Sequence, residues 1–560
     1  MTTATTGPNA AGEYSHKQIL TILVGLMMGM FLGALDQTIV STAIRTIADD
    51  LHGLSVQAWV TTAYLITSTI TTPIYGKLGD IYGRKKLFMF AISVFVVGSA
   101  MCSFATSMYM LAVCRAIQGI GAGGLFTLVL AIIGDIVSPR ERARYTGYFM
   151  ATFGTSSVLG PVIGGFFASH AVILGIAGWR WVFLVNVPLG IAALFVVYRT
   201  LHVHHVRRES RIDWWGAVTL VVALVPLLTV AEQGRLWGWD STRSMACYLI
   251  GAVGIGAWYA VERRMGDDAM IPLRMFRLRP VSVGILANVI TGMALFGGIM
   301  VLPLYMQIVH GASPMKSGFL MLPMVIGMMS ASIISGQVIS KTGRIRGFPI
   351  FGSALAAVSL LALSQITADT TLALVMTLML ALGFGLGNCM QPLLLILQSA
   401  VPPRDIGVAT ASATFFRQIG GTMGVAIFLS ILFGRVGGNI RTALADASRT
   451  PAFQQALAHP KSPTDGGLAT SLQHPSAPGG LLGQVQDDSS FIQRLSPVLA
   501  HPFKVGFADS ITVVFLVAGL VGILAFLVLL LMPKVELRAT SAQAALRSEA
   551  APTAPLTEEV

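Results

Sequence analysis

Three ionisable side chains lie well inside long apolar runs of this 560-residue chain: Asp36, Arg115 and Arg417. A charge at the centre of a lipid-spanning helix costs about 2.5–3.5 kcal/mol, so such residues tend to mark an ion or solute path. Asp36 stands in GALDQTIVSTA, late in the first apolar run, with Gln37, Thr38, Ser41 and Thr42 after it. Loss of water and a nearby cation act in opposite senses on a carboxylate's hold on its proton. That makes Asp36 a candidate proton carrier, the alternative being a carboxylate that caps or pairs at the end of its span. Arg115, in CRAIQGIGAGG, keeps its charge at any physiological pH and suits a counter-ion or organiser of a proton path. Structural pairing with backbone carbonyls is the other reading. Arg417, in FFRQIGG, serves either the path or helix packing.

Composition says what surrounds these charges. Apolar residues make up 54% of the chain and charged ones 11%, with a mean hydropathy of +0.74, whereas a soluble chain has about a quarter of its residues charged. Lipid must therefore be the solvent. The net charge of +12 and pI near 9.8 do not point to nucleic acid, because the cations fall in short loops between apolar runs rather than on a water-facing domain. No P-loop, H-E-x-x-H or G-x-S-x-G motif is present, so neither an enzyme nor an ATP-driven pump is expected, and no cofactor or metal. Cys102, Cys114, Cys247 and Cys389 all fall in apolar runs and read as packing residues. His202, His204 and His205 read as part of a solvated basic loop, with metal binding as the alternative.

Fourteen stretches reach the roughly 20 residues that a spanning helix needs, beginning near Gln18, Leu54, Leu87, Met108, Thr146, Trp181, Trp214, Met245, Val281, Pro314, Phe348, Thr371, Val408 and Gly506. The first stretch has no signal-peptide cleavage pattern, so the first span is expected to remain as an anchor. With the N-terminus inside, six short interior loops hold 20 Lys and Arg, against five on the short exterior loops (Arg45, Arg180, Arg235, Arg243, Lys316). That asymmetry places both termini on the cytoplasmic side.

An internal repeat divides the spans. GKLGDIYGR (76–84) reappears as GQVISKTGR (336–344), an offset of 260, and Pro139, Arg140 and Glu141 recur as Pro403, Arg404 and Asp405, an offset of 264. Two six-span halves follow, with two extra spans between them lying outside the interface of the halves. Parallel six-span repeats are a transporter architecture. The expected order is a cytoplasmic tail (1–17), a first bundle (18–201), two extra spans (202–265), a second bundle (266–533) and a disordered cytoplasmic tail (534–560). Residues 435–504 read as a flexible exterior loop, or as an element that docks an exterior partner or gates the path. Gly119, Gly121 and Gly124 fit G-x-G-x-x-G letter for letter, but no strand precedes them, so close helix packing explains the run; Gly383, Gly385 and Gly387 look like the same device. Pro161 puts a helix-breaker among Gly160, Gly164 and Gly165 in the fifth span, which predicts a bend and close contact.

On these motifs the chain resembles the major facilitator superfamily, and specifically its fourteen-span drug:proton antiporter branch. LDQTIV (35–40), GKLGDIYGRKK (76–86), RAIQGIGAG (115–123), GPVIGG (160–165) and GWRWVFLVNVPLG (178–190) occur in the family's order. The continuation after Val40 departs from the usual pattern, and Ser156 stands where a glycine is common. The resemblance implies an all-α membrane protein of the major facilitator fold in the cell membrane. It implies export of amphipathic, often cationic, drugs in exchange for protons, with export of a lipid or endogenous metabolite, or uncoupled facilitation, as the alternatives. It further implies a cytoplasmic gate of Gly76, Asp80, Gly83 and Arg84, with Asp80 near the start of the thirteenth span and Asp135 as a partner. Cargo-contacting residues would be Gln37, Tyr64, Gln118, Asn388, Gln391, Arg417 and Gln418. Only the first copy of the loop motif keeps its carboxylate, since Ser340 replaces Asp80 in the second, so the gate should be one-sided.

Overall fold

The computed structural model describes residues 15–52, 58–201, 213–460, 462–473, 489–535 and 537. The histidine cluster at 202–205, residues 1–14 of the N-terminal tail and nearly all of the C-terminal tail lie outside the described residues.

The described chain is helical almost throughout. The first half comprises α1 (His16–Asp50), α2 (Ala58–Tyr82), α3 (Arg84–Ser103), α4 (Met108–Ile136), α5 (Pro139–Ser169), the short α6 (Trp181–Leu184) and α7 (Asn186–Thr200). A two-stranded antiparallel hairpin, β1 (Val172–Ile173) with β2 (Ile176–Ala177), joins α5 to α6. Two helices follow, α8 (Trp214–Trp237) and α9 (Thr242–Met265). The second half holds α10 (Arg279–Ile308), α11 (Pro314–Leu320), α12 (Leu322–Thr342), α13 (Gly347–Leu363), α14 (Leu372–Ala400) and α15 (Ile406–Ser448), then α16 (Pro451–Ala458), α17 (Pro463–Gln473) and α18 (Pro497–Leu530). Among the described residues, eleven helices are long and apolar enough to cross a membrane, and two shorter apolar stretches lie at Arg279–Leu295 and Gly347–Leu363. With α2 these make fourteen rods, which is compatible with fourteen spans.

The repeat read from sequence is also a repeat of packing. α2 lies on α4 as α12 lies on α14, α3 on α4 as α13 on α14, and α1 on α5 as α10 on α15. Glycines make the close approaches possible: a Cβ at Gly121 of α4 would stand 2.5 Å from backbone atoms of Ala91 and Phe95, and one at Gly385 of α14 would stand 2.7 Å from those of Ala356 and Gly352. The recurring Pro-Arg-acid triplets open helices: Glu141 sits in the first turn of α5, and Asp405 stands just before α15 with its carboxylate on Arg274, both where the helix dipole favours a carboxylate. α8 packs on both α2 and α15, so the extra pair covers the rim of the junction between halves.

The segment 435–504 differs from expectation. α15 is one helix of 43 residues, about 65 Å long, so it outruns a hydrocarbon core of about 30 Å and carries its last turns beyond it. α16, α17 and the start of α18 pack there through buried Phe453, Leu468, Leu499 and Phe503, and Asn439 of α15 bonds Ser510 of α18 at 3.0 Å. The described part of 435–504 is therefore an ordered helical extension rather than a flexible loop. Pro451, Pro463 and Pro497, which look like loop markers, each open a helix, a position where the missing N–H costs nothing.

Pro161 does not break α5, which runs continuously from Pro139 to Ser169. Proline leaves the carbonyl four residues earlier without its helical donor, and Thr38 of α1 donates to the adjacent Ser156 carbonyl at 3.1 Å. Gly160 and Gly164 pack on Thr38 and Ile39 of α1, but a Cβ at Gly165 would meet nothing within 4 Å. One residue further round the helix, Gly165 faces away from α1, and its expected packing role is corrected. Gly121→Val should lower stability by about 1–3 kcal/mol, the usual cost of overpacking, read as a lower Tm of purified protein, whereas Gly165→Ala should leave the Tm within a degree or two; equal effects would contradict this packing.

Candidate functional site

Five helices of the first half bring polar side chains to one sealed point. Asp36 of α1 is 0% exposed and Arg115 of α4 is 2% exposed; the Arg115 Nη1 donates to Asp36 Oδ2 at 2.6 Å and to Gln118 Oε1 at 2.7 Å. Gln118 Nε2 donates to Asp36 Oδ1 at 2.9 Å, and Asn186 Nδ2 of α7 donates to the same oxygen at 2.8 Å. Both amides also reach Ser99 Oγ of α3, at 3.0 and 2.9 Å. Tyr64 of α2 lays its ring against the guanidinium, 4.0 Å from centroid to Cζ. One carboxylate thus holds three donors and one compensating charge in an apolar surround. A buried ion pair survives only with such hydrogen bonding around it.

Asn186 and Ser99 were not among the residues singled out from sequence. A search for ionisable groups passes over an amide and a hydroxyl, although Asn186 is the one polar side chain in the run VFLVNVPLG. Tyr64 and Gln118 are placed here too, so they surround the Asp36–Arg115 pair and do not line an open pocket for cargo; that expectation is corrected.

A second cluster lies at the other end of α4, twenty residues from Arg115 and about 30 Å away. Arg84 Nη2 donates to Asp80 Oδ1 at 2.7 Å and to Asp135 Oδ1 at 3.3 Å, and its Nε donates to Asp135 Oδ2. These residues come from the ends of α2 and α4 and the start of α3, joined by Gly83, whose φ of +94° suits glycine. Asp80 also reaches the second half. A Cβ at Gly407, in the first turn of α15, would collide with the Asp80 carboxylate, and one at Gly76 would collide with Ala411. The negative group therefore faces the positive end of α15. Beside it Arg142 of α5 bonds Gln398 of α14, whose Nε2 donates to Thr410 of α15 at 2.7 Å, a cross-half bridge the sequence reading missed. The repeat-related Ser340 bonds only its own helix, to Gln337 O at 2.8 Å, and Arg344 is exposed.

The remaining expected cargo residues divide. Asn388 turns back to Phe384 O at 2.8 Å and its Cβ packs on Gly352 of α13, away from the other half, which corrects its placement. Gln418 accepts from Thr72 of α2 at 3.3 Å and so joins the halves. Gln391 is buried, and Gln37 and Arg417 are half-buried. Breaking a buried pair by removing one partner costs about 3–5 kcal/mol, whereas removing both charges costs less. Arg115→Met should therefore unfold at a lower temperature than the double variant Asp36→Asn/Arg115→Met, measured on purified protein; the reverse order would contradict the pairing.

Comparison with known proteins agrees with this architecture. Residues 26–425 match the family model of the Major Facilitator Superfamily. The chain is 33% identical over 510 residues to the multidrug transporter protein MdtP of Bacillus subtilis, covering 90% of this chain and 91% of that protein. It is 33% identical over 524 residues to multidrug resistance protein 3 of the same organism, covering 93% and 96%. Among solved structures it is similar in fold to the proton:xylose symporter XylE, with a TM-score of 0.55 at 15% identity over 95% of this chain and 100% of that one. The chain is a multi-pass membrane transporter that belongs to the Major Facilitator Superfamily, within its multidrug efflux family.

Proposed function

We propose that this transporter exports amphipathic compounds across the cell membrane in exchange for protons, by alternating access, with Asp36 as the proton carrier. The observation that carries the reading is the Asp36–Arg115 pair, sealed inside one half and saturated with donors. A proton on Asp36 cancels the carboxylate's charge. Arg115 then loses its counter-ion, and the bonds that the amides of Gln118 and Asn186 make to Asp36 Oδ1 lose their charge assistance. Protonation thus changes the stability of the packing of α1 against α4 and α7, and a bistable bundle can convert that change into rocking of the halves. Loss of the proton restores the pair and resets the bundle.

The loop asymmetry puts the Asp80–Arg84–Asp135 cluster on the cytoplasmic side, with both termini there. Its reading as a latch is supported by the Asp80 carboxylate lying against Gly407 at the start of α15. A carboxylate at a helix N-terminus contributes about 0.3–1 kcal/mol, so the latch biases a conformation without locking it. A proton falling through about 150 mV yields about 3.5 kcal/mol. Exchanged one for one against a neutral compound, that sustains a gradient of a few hundredfold, at tenfold per about 1.4 kcal/mol, and outward movement is the direction it favours.

A second reading keeps the fold and makes the cargo a lipid. A largely apolar cavity of about 600 Å³ favours it, lying between the end of α15, α16 and the start of α18 and lined by Ala443, Phe453, Val498 and Val505, with Asp446 and His501 also on its wall. Deleting about 450–490 should leave efflux of small amphipaths intact under the first reading and abolish export under the second.

Inside-out vesicles with an imposed pH gradient test the latch and the carrier together. Asp36→Asn should abolish gradient-driven uptake of an amphipathic dye, while Asp80→Asn should slow it by about tenfold or more, the loss expected for about 1.5–3 kcal/mol of charge-assisted hydrogen bonding. Ser340→Ala should leave uptake unchanged. Gradient-driven uptake by Asp36→Asn at the native rate would end its role as carrier, and equal effects at 80 and 340 would end the one-sided latch.

A further inference from the structure

The interior charges do not balance. Asp36 and Arg115 cancel one another. The other acidic residues of the apolar helices lie near helix ends or in the extension: Asp80, Asp135 and Glu262 in the last turns of α2, α4 and α9, with Asp446 and Asp509 in the parts of α15 and α18 that pack beyond the hydrocarbon core. One cation remains. Arg417 is eleven residues into α15, about 17 Å along its axis, which is near the middle of a hydrocarbon core of about 30 Å. It is half-buried and makes no hydrogen bond or ion pair with any described residue. Its position is at the meeting of the halves: the next residue, Gln418, bonds Thr72 of α2, and Gly292 of α10 packs against the Arg417 backbone.

An uncompensated guanidinium at that depth is tolerated where it faces water or a counter-ion. Among the described residues no side chain supplies the counter-ion, and the planar fork of an arginine is built to take two oxygens of a carboxylate or sulfonate at once. A cationic cargo would meet a like charge and no free carboxylate. We infer that the exported compounds are amphipathic anions, whose acidic group pairs with Arg417 during passage. The inference rests on the export reading above and narrows its cargo, against the cationic class that the family resemblance suggests. It has an electrical consequence. One proton moving in against one anion moving out transfers two positive charges inward per cycle, against one for a neutral cargo and none for a monovalent cation.

The test uses the full-length protein and three probes, an anionic carboxyfluorescein-type dye, a neutral amphipathic dye and ethidium. Binding to purified protein is read by fluorescence anisotropy. Transport is read in proteoliposomes under a pH gradient, with and without a potassium diffusion potential. The expected results are tighter binding of the anion than of ethidium, and anion transport that responds to the potential more steeply than transport of the neutral dye. Arg417→Gln should lower the ratio of anion to neutral binding by about tenfold or more, with Arg417→Lys retaining part of it. If Arg417→Gln does not fold, competition between the anion and the neutral dye on the native protein replaces it, and mutual displacement is expected. Anion binding that is unchanged in Arg417→Gln, an anion that fails to displace the neutral dye, or ethidium bound more tightly than the anion would each overturn the inference. Anion binding that depends on Arg417 without uphill transport of any probe would support the site and remove the export reading.

Discussion

Placing a carboxylate and a guanidinium together inside a lipid-solvated bundle is the constraint on which the first half of this protein depends. Neither group is stable there alone, and Asp36 is held by contributions from α1, α3, α4 and α7 at once. Those helices must come close enough for short polar side chains to touch. The glycines of α4 allow that approach: Gly119 meets Tyr64 and Thr67 of α2, and Gly121 meets Ala91 and Phe95 of α3. The charge pair and the small-residue packing are therefore one design. Disturbing either moves the other.

The same logic links the two ends of α4. Arg115 near one end fixes the buried pair, and Asp135 near the other fixes Arg84 and through it Asp80. A rigid helix with a charge-dependent contact at each end is a physical connection between the buried ion pair and an inter-half contact. The second half has the packing of this device without its chemistry. Its glycines 383, 385 and 387 repeat the close approach, but no carboxylate faces them, and Ser340 stands where Asp80 does in the first half. The frame is repeated, but the buried carboxylate–guanidinium pair of Asp36 and Arg115 is found in the first half, and Arg417 of the second half stands without such a partner among the described residues.

Much of this was legible from residues alone. Apolar runs broken by cation-rich loops give helix positions that agree within a few residues for α1, α4, α6 and α8, because the cost of burying unpaired backbone in lipid leaves the chain little choice. Two of the three charges singled out by cost in lipid, Asp36 and Arg115, are at the centre of the site, since the same cost obliges them to find partners; Arg417 is not. The amide of Asn186 and the hydroxyl of Ser99 were not legible, because a neutral polar group in an apolar run carries little signal about where it points. Tyr64, Gln118 and Asn388 were assigned to an open pocket because sequence gives polarity without direction. The helical extension at 435–504 is hard to see in the sequence for a different reason. Proline and glycine usually punctuate loops, but a proline at the first position of a helix starts one, and only the burial of Phe453 and Leu499 shows which applies.

The central claim is that movement of cargo and movement of a proton are the same event at Asp36. It is tested most directly by proteoliposomes holding a trapped pH dye, with no initial pH gradient, to which an amphipathic cargo gradient is applied. The account predicts that cargo flowing down its gradient drives protons the opposite way through the native protein, and that Asp36→Asn carries cargo without moving protons. Cargo flux through the native protein with no accompanying pH change, or proton movement that persists in Asp36→Asn, would contradict it.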